Sequence, residues 1–142
     1  MEKLASILLV DDNSTSNFLN ELLLRKLGVA DRIEVASNGA EALDLLARAS
    51  AAPAGPPYPA LILLDVNMPV MSGAAFLAAY QQLPAAQQQA SRIVLLTTTV
   101  HEGELQKLRQ WPVAGLVNKP LNREKVAALL QEHFGWQLPP VP

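Results

Sequence analysis

The segment Ile7–Ser14, ILLVDDNS, runs four apolar residues straight into two adjacent carboxylates. The apolar stretch begins at Leu4, and Leu4–Val10 shows almost no alternation of polar and apolar residues. A half-exposed strand alternates, whereas a strand covered on both faces does not, so this run reads as a buried parallel strand. Similar runs follow at Leu61–Leu64, Ile93–Leu96 and Val113–Val117, with a weaker one at Arg32–Ala36. Helical stretches separate them. Ser14 is placed to cap a helix over about Thr15–Leu27, where Phe18, Leu19, Leu22, Leu23 and Leu27 form an apolar stripe and Gly28 supplies the stop. Asn38 caps a second helix carrying Ala42, Leu43, Leu45 and Leu46, and Ser72 opens a third with Phe76, Leu77 and Tyr80. A fourth covers roughly His101–Gln110 and halts before Pro112; the last covers about Arg123–Phe134 and is closed by Gly135. This alternation calls for an α/β fold, a doubly wound five-stranded parallel sheet with helices on both faces and right-handed crossovers.

Two segments break the pattern. Ala51–Pro59 (AAPAGPPYP) holds four of the 11 prolines and reads as an exposed, stiff loop between the second helix and third strand. Leu138–Pro142 (LPPVP) holds three more and reads as an extended tail. With 142 residues, 50% hydrophobic and 17% charged, the chain has material for one domain with an ample core. A net charge of −2 argues against direct contact with nucleic acid, which needs a clustered positive surface. The absence of cysteine removes disulfide scaffolds, thiolate zinc sites and cysteine nucleophiles, and suits a reducing cytoplasm. No leader pattern is present, and the apolar runs fall far short of the ~20 residues of a membrane span. The expectation is a cytoplasmic, single-domain protein with no membrane partner.

Polar residues stand where the apolar runs stop. Asp11 and Asp12 follow the first strand, Asp65 the third, Thr97 the fourth and Lys119 the fifth. In an open parallel sheet the strand carboxyl ends line one edge, and ligands bind there. Taken singly, Asp12 with Ser14 is ordinary helix-start chemistry, Thr97 a turn residue and Lys119 a solvated charge. Taken together, they converge on one small site. Three carboxylates within a few ångströms repel and raise one another's pKa unless a cation intervenes. A hard divalent ion such as Mg²⁺ answers that with oxygen ligands, and with Lys119 it balances the three acids in formal charge. Such a site can accept a phosphoryl group.

Four segments, ILLVDDNS (Ile7–Ser14), LILLDVNMPVMSG (Leu61–Gly73), IVLLTT (Ile93–Thr98) and the pair Lys119–Pro120, resemble the receiver domain of bacterial response regulators, the CheY-like family. The resemblance spans about Leu4–Phe134, and its specific part is Asp65-x-x-Met68-Pro69-x-x-x-Gly73 followed in order by Thr97 and Lys119–Pro120. It implies a flavodoxin-like strand order 2-1-3-4-5. Residues 1–135 would form the receiver domain and 136–142 a Pro-rich tail. Asp65 would be the phosphoacceptor, attacking a phosphohistidine on a sensor histidine kinase or histidine phosphotransfer protein. Asp12 would ligate Mg²⁺ directly, Asp11 mainly through water, and Asp65 and the Asn67 backbone carbonyl would complete the protein ligands. Lys119 would pair with the phosphoryl group, and the Thr97 hydroxyl would bond it after a rearrangement. Met68–Pro69 and Gly73 would shape the loop presenting Asp65, and the Lys119–Pro120 bond would be cis. Output would pass through the fourth helix, fifth strand and last helix (His101–Phe134) to a downstream protein, or through a phosphorylation-dependent homodimer, since no output domain is expected within this length. The chain would be no enzyme beyond self-catalysed phosphotransfer and autodephosphorylation.

The chain departs from the family at two points. Leu116 stands where an aromatic residue is frequent, and Thr98 where a small residue is common. His101 reads as a surface residue, His133 as a dipole-favourable helix end, and Trp111 and Trp136 as packing residues. Three other functions compete. A haloacid-dehalogenase-like phosphatase uses similar groups but places its second acid two residues after the nucleophile, where this chain has Asn67. A receiver-like binding module that accepts no phosphate would not need the full set of site residues. A nucleotide-binding Rossmann domain needs a Gly-x-Gly-x-x-Gly after the first strand, which is absent.

Overall fold

A computed structural model describes residues 4–51, 59–65, 73–83, 88, 91–97, 106 and 113–135. Five strands, β1 (Leu4–Val10), β2 (Ala30–Ala36), β3 (Leu61–Asp65), β4 (Arg92–Thr97) and β5 (Gly115–Asn118), form one sheet in the order β2-β1-β3-β4-β5. Every neighbouring pair is parallel. Four helices are described, α1 (Ser14–Leu27), α2 (Gly39–Ala51), α3 (Gly73–Tyr80) and α4 (Arg123–Phe134). This is the flavodoxin-like topology expected. Of the expected helix over 101–110, only Gln106 is described, and it is helical. Pro-rich loop residues 52–58, the tail 136–142, Ser72, Met68–Pro69, His101, Trp111 and Trp136 lie outside the described residues.

The lack of alternation in the strands has its explanation in the two cores. Ile7 and Leu9 of β1 join Leu61, Leu63, Val94 and Leu96 on one face, beneath Leu24 of α1 and Val126, Leu129 and Leu130 of α4. Leu8 and Val10 join Ile62, Leu64, Ile93 and Leu95 on the other, beneath Ala42 and Leu46 of α2 and Phe76, Leu77 and Tyr80 of α3. Successive side chains feed opposite faces, and both faces are roofed, so the central positions of β1, β3 and β4 are apolar without alternation.

The helix ends follow local chemistry. Asn38 Oδ1 accepts from the Glu41 N–H at 2.8 Å and Asn122 Oδ1 from the Lys125 N–H at 2.9 Å. Gly28 and Gly135 end α1 and α4 with φ of 65° and 69°, a left-handed conformation that costs glycine little. At α1 the cap is Asn13 rather than Ser14, its Oδ1 accepting from the Ser16 N–H at 2.9 Å. Gln88 donates Nε2 to the carbonyls of Gln81 and Leu83 and so closes the end of α3.

One expectation is overturned. The stripe Phe18–Leu19–Leu22 does not face the core; these residues are 66%, 56% and 53% exposed, while Leu23 and Leu27 are half-buried. The inward residues are Asn17, Asn20 and Leu24. Asn17 Nδ2 donates to the Asp11 carbonyl at 2.7 Å, while Leu23, Leu24 and Leu27 of the same helix pack on the core. An amide is cheap to bury once bonded, so hydrophobic periodicity alone does not decide which face turns inward.

Candidate functional site

Strand register assembles the site. Val10 pairs with Leu64, so Asp11, one residue on, lies level with Asp65. Asp65 pairs with Leu96, which sets Thr97 one step beyond it, and Thr97 pairs with Asn118, so Lys119 leaves the sheet beside it. The Lys119 N–H donates to the Thr97 carbonyl at 2.8 Å. Asp65 and Thr97 are thus the last residues of their strands, which run one position past the ends expected.

The three acids meet as expected, with carboxylate oxygens of Asp11, Asp12 and Asp65 within 4.8 Å of one another. Asp11 and Asp65 are buried, Asp12 is exposed, and Thr97 is fully buried. Lys119 reaches into this cluster with a side chain only 15% exposed, its Nζ 2.6 Å from Asp11 Oδ2 and 3.4 Å from Asp65 Oδ1. Asp11 Oδ1 accepts from the Asn13 N–H at 2.9 Å. The loop carrying Lys119 is tied down by Lys125, whose Nζ donates to the carbonyls of Asn118 and Pro120 at 2.7 and 2.9 Å. The Lys119–Pro120 bond is cis, as the resemblance implied. Asn67 and Thr98 lie outside the described residues.

The donor set suits a hard divalent cation: three carboxylates and one ammonium leave the cluster short of positive charge, and one acid, Asp12, is open to solvent. Burial works against ionisation of Asp11, but the Lys119 hydrogen bond, the Asn13 amide and the Lys119 charge outweigh it and hold its carboxyl below its ordinary value of 3.8. Burial likewise disfavours the Lys119 ammonium, but the Asp11 hydrogen bond and the Asp65 and Asp11 charges raise it above 10.5. A depressed carboxyl contributes stability that is present above its unfolded pKa and lost as pH falls through the folded one; a raised lysine contributes stability lost only as pH climbs past about 10.4. Denaturant unfolding of wild type should therefore weaken more steeply below about pH 4 than that of Asp11→Asn, with no difference in slope between about pH 5 and 9.

Other residues take unforeseen places. His133 stands in the last turn of α4, at the helix end expected, and packs its ring on β5: a Cβ at Gly115 would lie 3.3 Å from Nε2, which is buried without a hydrogen-bond partner among the described residues. Leu116 is half-buried against the core beneath α2 and α3. Asn17 and Lys125 were not foreseen at all; the spacing Asn13–Asn17–Asn20–Leu24 was the available signal for the first of them.

Residues 7–131 match the response regulator receiver domain family. A two-component response regulator 24 of Arabidopsis thaliana is 28% identical over 131 residues, covering 92% of this chain and 85% of that protein. A chemotaxis protein CheY4 of Vibrio cholerae is 32% identical, with a TM-score of 0.70 over 90% of this chain and 97% of the other. A two-component response regulator from Cytophaga hutchinsonii superposes with a TM-score of 0.80 at 27% identity, covering 92% of this chain and 96% of the other. The match runs from inside β1 into α4 and so includes every strand end that supplies the acids, the hydroxyl and the ammonium. The chain belongs to the response regulator receiver domain family.

Proposed function

We propose that this chain is a phosphoacceptor of a two-component or phosphorelay system, working in the cytoplasm, with residues 1–135 as the receiver and 136–142 as a tail. The observation that carries this reading is Lys119 lodged between two buried carboxylates, 2.6 Å from Asp11 and 3.4 Å from Asp65, with Asp12 exposed beside them. A carboxylate oxygen of Asp65 attacks the phosphorus of a phosphohistidine on a sensor histidine kinase or histidine phosphotransfer protein. The O–P bond forms as the P–N bond breaks, and its electron pair returns to the imidazole nitrogen. Lys119 needs only a short swing from Asp11 to offset charge on the equatorial oxygens. The Thr97 hydroxyl bonds the phosphoryl group once transferred. Asp12, Asp11, Asp65 and the Asn67 carbonyl are the ligands we assign to Mg²⁺, which when bound neutralises charge on acceptor and phosphoryl oxygens. The chain accepts one group rather than turning over substrate.

A dianionic group at Asp65 biases the surface around β5 and α4, and a downstream protein or a second phosphorylated copy reads it there. Incubation with acetyl phosphate and Mg²⁺ should attach a single hydroxylamine-labile phosphoryl group; steady hydrolysis of a phosphomonoester would favour the phosphatase reading instead.

The exposed face of α1 supports a protein donor. Phe18, Leu19 and Leu22 present apolar surface, and Leu19 shares a groove with Asn13, Ser16, Pro120, Leu121 and Lys119, the last of which also contacts Asp11 and Asp65. A donor that reaches Asp65 covers this rim. Phe18→Ser with Leu22→Ser should slow transfer from a phosphorylated partner roughly tenfold or more, at about 1–2 kcal/mol per lost apolar anchor, while labelling by acetyl phosphate stays unchanged.

A further inference from the structure

We propose that Asn17 is a positioning residue for the cation site, holding the Asp11–Asp12 peptide in the plane that aims the Asp12 carboxylate at the cluster. This rests on the reading of Asp11 and Asp12 as cation ligands. Three of Asp11's polar groups are held by β2, by the Asn13 cap and by Lys119 just past β5: its N–H donates to the Ala36 carbonyl at 3.1 Å, Oδ1 accepts from the Asn13 N–H at 2.9 Å, and Oδ2 accepts from Lys119 at 2.6 Å. The fourth, the carbonyl that belongs to the Asp11–Asp12 peptide, accepts from Asn17 Nδ2 at 2.7 Å. Asp12 is exposed, and among the described residues its carboxylate has no hydrogen bond or ion pair.

Asn17 is a poor residue for stability where it stands. It is 5% exposed, and its Oδ1 has no hydrogen-bond partner among the described residues. A buried amide satisfied on one side only carries a desolvation penalty that an apolar side chain of similar size avoids. The inward face of α1 is amide at Asn17 and Asn20, near the acids, and apolar at Leu24, further away. Polarity is therefore kept at the end where it touches the site, at the expense of the packing that the exposed Phe18, Leu19 and Leu22 would have given.

The test is calorimetric titration of the full chain with Mg²⁺ alone, beside thermal unfolding without metal. Asn17→Leu keeps the volume and removes the donor; Asn17→Ala removes both. Each should weaken Mg²⁺ binding by tenfold or more, the usual scale for losing a group that orients a ligand, and to the same extent although the Ala variant melts lower. Leu24→Ala, in the same helix but away from Asp11, should melt lower and keep wild-type affinity. Wild-type affinity in either Asn17 variant overturns the inference, as does a loss in Leu24→Ala equal to theirs. If one Asn17 variant does not fold, the other carries the test. Failure of the wild-type chain to bind Mg²⁺ would instead overturn the reading of the acids as cation ligands.

Discussion

Asp65→Asn is expected to abolish labelling by acetyl phosphate and, at the same time, to raise the melting temperature of the metal-free protein. The first effect follows from chemistry at one atom. The amide lacks the anionic oxygen that attacks phosphorus, and neither neighbouring acid replaces it, since Asp11 is engaged by Lys119 and Asn13. The second follows from charge. Three carboxylates with oxygens within 4.8 Å share one ammonium, so removing a negative charge relieves repulsion while an amide oxygen still accepts from Lys119. The gain should be about 1 kcal/mol, or about 4 °C. Mg²⁺ should then stabilise wild type more than the variant, because a ligand stabilises by its affinity for the folded state. Mass spectrometry of the labelled protein and thermal unfolding with and without Mg²⁺ check both arms. Persistent labelling at another residue would refute the assignment of Asp65, and a fall in stability would mean that its partners outweigh the repulsion.

The same charge crowding made the site legible before any coordinates. Isolated polar residues at the ends of unbroken apolar strands are conspicuous, and β-sheet register does the rest: Asp11, Asp65, Thr97 and Lys119 had to meet because parallel strands end on one edge. The rotation of α1 was not legible for the opposite reason. Its sequence offers two stripes, Phe18–Leu19–Leu22 and Asn17–Asn20–Leu24, and transfer free energy favours burying the first. In the fold Leu23, Leu24 and Leu27 pack on the core and Asn17 bonds the Asp11 carbonyl, a main-chain contact that no periodicity contains. His133 shows the same blind spot. It stands in the last turn of α4 as expected, but the packing of its ring on Gly115 was not legible from its position in the sequence. Strand ends, by contrast, shifted by no more than two or three residues, since backbone pairing continues into polar positions that apolar runs do not mark.

Replacement of Lys119 should separate charge from geometry more sharply than any other change. Lys119→Met leaves two buried carboxylates without their cation, and breaking a buried pair from one side costs about 3 kcal/mol. It also removes the group that offsets charge on the phosphoryl oxygens, so labelling should slow by about 10²–10³-fold, the cost of losing one such donor. Lys119→Arg keeps the charge but substitutes a planar, wider guanidinium for a compact ammonium that fits between oxygens 2.6 and 3.4 Å away. The Arg variant should therefore recover most of the stability and little of the rate. Mg²⁺ should restore part of the stability of Lys119→Met, since a cation again stands among the acids, without restoring the rate. Denaturant unfolding and single-turnover labelling, each across a Mg²⁺ series, measure both quantities on the same proteins. If the Met variant labels at the wild-type rate while unfolding more easily, Lys119 is a structural counter-ion only, and the phosphoryl oxygens draw their compensation from elsewhere.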